Sequence, residues 1–144
     1  MKLPVSNSWR TLIKVLLILY LVSLSLFVFF PRPILESGDS FAIAEFIKNH
    51  SGIFYRILYA DTQSVATANF IMLTPFVLLA ALVRPEVKLS QIALIGIGIS
   101  VIIEAFQTVI PGRVSDLTDL MSNSVSVLIG ILVVAILRKT GIFQ

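Results

Sequence analysis

The sequence predicts an all-α integral membrane protein with four transmembrane helices. An amphipathic extracytoplasmic segment should separate the first two, and both termini should be cytoplasmic. Three observations predict this. Of 144 residues, 57% are hydrophobic and 13% charged, and that charge share is about half what a soluble domain carries. The apolar residues gather into runs of about twenty, enough for a helix to span the hydrocarbon core of a bilayer. Between the runs stand proline, glycine and charge, as in Pro31-Arg32-Pro33, Arg84-Pro85-Glu86 and Pro111-Gly112-Arg113. The length suits one domain over 1–144.

The first spanning helix is expected at about 11–30. Lys2, Arg10 and Lys14 precede or open it without an acid, Trp9 suits the headgroup boundary, and Lys14 can snorkel. The run is long and ends in Phe-Phe-Pro-Arg-Pro with no small-x-small site, so it reads as an uncleaved span rather than a signal peptide. Residues 31–64 are polar to amphipathic. Within about 39–60, Ile43, Phe46, Ile47, Ile53, Phe54, Ile57 and Leu58 recur at helical spacing, and Gly52 splits the pattern. This segment either lies on the membrane surface or caps the bundle. The second span is expected at 65–83. There Pro75 should kink the helix, and Asn69 and Thr74 should bond to neighbouring helices or repair the backbone near it. The third and fourth spans are expected at 90–110 and 116–137.

Charge sets the orientation. Lys2, Arg10, Lys14, Arg84, Lys88, Arg138 and Lys139, seven of the eleven basic residues, fall on one side with the single acid Glu86. The other side holds Arg32, Lys48, Arg56 and Arg113 with six acids. The positive-inside rule places the first group in the cytoplasm. With charge distributed by loop, the net +3 is not a nucleic-acid signal. There is no cysteine, which excludes disulfides and thiol chemistry, and His50, the one histidine, excludes a multi-histidine metal site within one chain.

The chemistry is concentrated between Ile103 and Gly130. At about 100° per residue, Gly96, Ser100, Glu104 and Gln107 share an arc of roughly 80° on the third span, and Asp116, Asp119, Asn123, Ser126 and Gly130 share a similar arc on the fourth. The Pro-Gly turn makes the two helices antiparallel, so their polar stripes can meet. Small residues Gly96, Ser100, Ser126 and Gly130 would let these two backbones approach. Each residue also has a plain structural use. Ser115 or Asp116 makes a helix N-cap, Gln107 and Asn123 can bond across helices for about 1 kcal/mol each, and Arg113 can anchor at headgroups. Glu104 is harder to assign this way, because it lies about two turns inside the bend, where a carboxylate must be protonated or paired.

The series Glu104, Gln107, Pro111-Gly112-Arg113, Asp116, Asp119, Asn123 resembles the signature of the VanZ-like membrane proteins. The stretch from Asn69 through Pro75 and Phe76 resembles that family's Asn-to-Pro-Phe stretch. The resemblance covers roughly residues 65–135. It departs where many relatives have glycine and this chain has Val77 and Ser126. It departs again after the first span, where Asp39-Ser40 replaces the family's Asp-Lys pattern and no histidine precedes His50. The resemblance implies a small multi-pass protein of the bacterial cytoplasmic membrane. Its namesake is associated with resistance to glycopeptides such as teicoplanin, and no settled reaction is attributed to the family.

Three functions compete at this stage. The first is binding of a membrane lipid or lipid-linked wall precursor in an outward-facing pocket, with Glu104, Gln107, Arg113, Asp116, Asp119, Asn123 and Asn69 as binding residues and glycopeptide or lipopeptide resistance as the consequence. The second is an intramembrane enzyme, its carboxylates holding Mg²⁺ or acting as acid and base on a lipid-linked phosphate or sugar. Three carboxylates do not identify a metal, so no cofactor is named and whether the protein is an enzyme is undecided. The third is proton conduction through Glu104 in a homo-oligomer, disfavoured by the small bundle and the lack of an inverted repeat. The expected partners are lipids, with no nucleic acid.

Overall fold

The structure, a computed structural model, describes residues 7–29, 40–49, 68–110 and 117–141. Among these residues the chain is helix joined by short turns, with no strand. The helices are α1 (Asn7–Phe29), α2 (Ser40–Asn49), α3 (Ala68–Val83), α4 (Leu89–Gln107) and α5 (Leu117–Lys139). By length and apolarity α1, α4 and α5 can cross a membrane, while α3 is a shorter apolar helix. Within α2, Phe41, Glu45 and Lys48 are exposed. His50 and the rest of the predicted amphipathic segment lie outside the described residues.

The helix ends differ from the apolar runs for local reasons. α1 starts at Asn7 rather than near 11, because polar residues extend the helix beyond its apolar part, and the Thr11 hydroxyl donates to the Asn7 carbonyl at 3.0 Å. α4 stops at Gln107 rather than 110. The Val109 N–H turns back to the Phe106 carbonyl at 3.1 Å and the Thr108 hydroxyl to that of Ala105 at 2.7 Å. A tightened last turn is expected there, because the residue before Pro111 is pushed out of helical geometry.

α3 and α5 form the centre. Leu73 faces Ser126, Val77 faces Gly130, and Arg138 Nη2 donates to the Pro85 carbonyl at 3.2 Å, so these two helices run parallel in register. Gly96 faces Val127, and Glu104 lines one cavity with Asp119 and Asn123, so α4 runs antiparallel to α5. α1 packs on α3 and α4, with Phe29 edge-on to Phe106 at 5.8 Å. Leu73, Val77, Ala81, Val127 and Val134 form the fully covered core, while Leu26, Leu94, Leu128 and Leu132 point outward. Outward-facing leucines are ordinary for a surface solvated by acyl chains.

Small residues set the spacing, though not all between α4 and α5. A Cβ on Gly96 would meet Val127 Cγ2 at 2.8 Å, as expected for that pair. Gly130 and Ser126 instead face α3, where a Cβ on Gly130 would meet Val77 Cβ at 2.7 Å. The reason is that α5 has two neighbours, so its stripe of small residues is divided between them. Gly98, with nothing within 4 Å of its Cβ position, is the internal control. Gly98→Ala should leave stability unchanged or raise it by up to about 1 kcal/mol through helix propensity. Gly96→Ala should lower it, measured by circular dichroism during unfolding in SDS.

Pro75 breaks α3 at Leu73. In an unbroken helix the Leu73 and Thr74 amides would bond the carbonyls four residues back. Here both donate to Ser126 Oγ, at 2.8 and 2.9 Å. The Thr74 hydroxyl donates to the Ser126 carbonyl at 2.9 Å, which leaves Ser126 as donor in the 3.2 Å contact between the two hydroxyls. On the other side the Tyr20 hydroxyl of α1 donates to the Met72 carbonyl. The expectation that Thr74 bonds a neighbouring helix beside Pro75 is met in this form.

The bundle has two unlike ends. One gathers Arg10, the Arg84–Lys88 turn, Arg138 and Lys139. There Arg84 pairs with Glu86 at 3.2 Å, and the glutamate's own backbone N–H and the Arg84 side chain hold its carboxyl below the usual range. With both side chains mostly exposed, the pair adds little stability. The other end holds the last turns of α1 and α4 and the first turns of α3 and α5.

Candidate functional site

At this second end Asn69, Glu104, Gln107, Asp119 and Asn123 line one cavity of about 20 Å³. Its apolar wall is Phe27, Val28, Met72 and Ile103. Four helices contribute, and each does so near its end. Asn69 is in the first turn of α3, Gln107 closes α4 with Glu104 one turn deeper, and Asp119 opens α5 with Asn123 one turn deeper.

Asn69, Glu104, Gln107 and Asn123 are buried, at 5, 7, 7 and 1% exposure, while Asp119 is half-buried. Asn69 Nδ2 donates to Asp119 Oδ1 at 2.7 Å, a charge-assisted bond if the carboxylate is ionised. Gln107 Nε2 donates to the Val28 carbonyl at 3.3 Å. The Ser122 hydroxyl turns back to the Asp119 carbonyl at 3.0 Å. Asn123 Oδ1 is buried with no hydrogen-bond partner among the described residues, and so is Ser100 Oγ one turn below Glu104. A buried acceptor left without a donor costs about 1–3 kcal/mol, so Asn123 is held in an arrangement that a ligand or water could complete.

Of the residues the sequence singled out, Asn69, Glu104, Gln107, Asp119 and Asn123 are brought together. Arg113 and Asp116 lie outside the described residues. Among the described residues no three Asp, Glu or His side chains cluster as metal ligands do. Sequence reasoning missed the contribution of α1. Its Val28 carbonyl is one of the last-turn carbonyls that every helix leaves without an internal partner. The abrupt stop at Pro31 was therefore the available signal that an acceptor waits there. Sequence reasoning also assigned Ser126 to the polar stripe of the site, whereas its hydroxyl serves the break in α3. A larger groove along α1, about 490 Å³, is lined by Ile18, Leu21, Val22, Leu26 and Phe29 with Ser25, whose hydroxyl turns back to the Leu21 carbonyl. It offers acyl chains a surface and a polar headgroup nothing.

The family model described as VanZ/LLP1 matches residues 14–138. No curated protein and no solved structure matches the chain. The match runs from the first turns of α1 to the last turn of α5 and takes in every described residue of the cavity. The chain therefore belongs to the VanZ/LLP1 family of membrane proteins.

Proposed function

We propose that this protein is a multi-pass protein of the bacterial cytoplasmic membrane that binds a lipid or lipid-linked headgroup in an outward-facing polar pocket. In this reading α3 crosses the membrane as the fourth span. The basic end faces the cytoplasm with both termini, and the cavity end faces out. The carrying observation is the convergence of five polar side chains at the end of the bundle opposite the Arg84–Lys88 turn, Arg138 and Lys139. Polar groups at such a depth in an apolar bundle are costly unless they have work to do. The cavity itself holds one small group, so the body of a headgroup sits at its mouth. Arg113, in the stretch of sequence between α4 and α5, is the phosphate-binding residue of this reading. Occupancy of such a headgroup is how the chain would reduce the effect of glycopeptide or lipopeptide antibiotics.

Lipids extracted with the purified protein test the reading. Enrichment of one headgroup class over the bulk membrane is expected, and it should fall in Arg113→Ala and Asp119→Leu. An extract that mirrors the bulk membrane in wild type and variants alike would overturn it. In cells, expression should raise the teicoplanin concentration needed to stop growth, and Asp119→Leu should abolish the rise.

A further inference from the structure

We propose that the cavity receives the primary ammonium group of a lipid headgroup. This rests on the headgroup reading above and says which part of the headgroup enters. Three donors at or beside the cavity already have acceptors within the protein. Gln107 Nε2 is bound to the Val28 carbonyl, Asn69 Nδ2 to Asp119 Oδ1, and the Ser122 hydroxyl to the Asp119 carbonyl. The lining also holds an oxygen that lacks a donor. Asn123 Oδ1, at 1% residue exposure and without a donor, needs an N–H or O–H to complete it. Glu104 and Asp119 add carboxylates to the same lining. An amide oxygen in need of a donor beside two carboxyl groups favours a cation that carries N–H donors and disfavours an anion.

Size and depth agree with this. About 20 Å³ accommodates one water-sized group, which suits an ammonium and is too small for a phosphate or a trimethylammonium. Asn123 lies about 9 Å along α5 from Leu117, at 1.5 Å per residue. In phosphatidylethanolamine the ammonium stands on a two-carbon arm, so it can enter ahead of the phosphate. A quaternary ammonium has no N–H to offer Asn123.

The experiment is native mass spectrometry of the full chain with phosphatidylethanolamine, phosphatidylcholine and phosphatidylglycerol of matched acyl chains, and with free ethanolamine as competitor. The ethanolamine lipid should bind roughly ten-fold tighter than the choline lipid, the worth of one charge-assisted hydrogen bond. Asn123→Leu should erase that ratio and Asn123→Asp, which keeps an acceptor oxygen, should preserve it. Circular dichroism of both variants establishes that they fold, and the wild-type ratio between lipids stands independently of either. Equal binding of ethanolamine and choline lipids overturns the ammonium assignment and leaves the headgroup reading intact. Binding of none of the three lipids overturns both. Displacement by free ethanolamine at concentrations equal to the lipid overturns the lipid as the source of the amine.

Discussion

Ser126→Ala should destabilise the bundle by about 2 kcal/mol, the upper end of what hydrogen bonds between membrane helices contribute. The loss exceeds that of an ordinary serine because one oxygen serves two amides. Without it the Leu73 and Thr74 N–H groups, both at the break in α3, lose their acceptor, and the Thr74 hydroxyl loses its partner hydroxyl. Unsatisfied amides in an apolar interior cost far more than the same groups in water. Ser126→Gly should cost as much or more, since it removes the same oxygen and adds a flexible residue to the helix interior. The measurement is the SDS midpoint of unfolding followed by circular dichroism. A midpoint equal to wild type for Ser126→Ala would mean that the break in α3 is satisfied some other way.

The second large effect is steric. Gly130→Ala places a methyl carbon 2.7 Å from Val77 Cβ, with both Val77 Cγ atoms also inside 3.3 Å. The nearest atom is the stem of a β-branched side chain and not its free end, so rotation of Val77 gives no relief. The helices must move apart, at about 1–3 kcal/mol for an overpacked core. Gly96→Ala, which meets the branch tips of Val127, should cost less. Val77→Gly on its own should also destabilise, since it empties a fully buried position. Combined with Gly130→Ala it should recover part of both losses, a coupling of at least about 0.5 kcal/mol in a double-mutant cycle. Strict additivity of the two would show that residues 77 and 130 do not meet as described.

Much of this architecture is legible in the chain. The runs between Pro31, Arg84 and Pro111 mark the long helices, because apolar length and helix breakers are local properties. The meeting of Glu104 and Gln107 with Asp119 and Asn123 follows from helical periodicity and the short Pro-Gly stretch of sequence between the two runs. What periodicity does not reveal is which neighbour a face meets. The arc carrying Asn123, Ser126 and Gly130 is wide enough to touch two helices, and it does. Asn123 turns to the cavity, while Ser126 and Gly130 turn to α3. The Asn69–Asp119 bond joins residues fifty positions apart in sequence, and no local signal announces such a pair. Pro75 announced a kink, but the groups that repair it, Tyr20 and Ser126, come from the opposite ends of the chain. Gln107 was expected to bond across helices. Its acceptor is a backbone carbonyl of Val28, which no side-chain pattern could show.

The position of Ser126 in the chain bears on how the protein is made. If α3 crosses the membrane as proposed, it reaches the bilayer before α5 has been translated, and its two loose amides enter lipid ahead of the oxygen that serves them. Tyr20, already synthesised, can take up the Met72 carbonyl at once, but Leu73 and Thr74 must wait for α5. A nascent chain arrested before Ser126 is therefore an unfinished bundle with a polar gap in its middle helix. Quality-control proteases should remove it faster than the full-length chain.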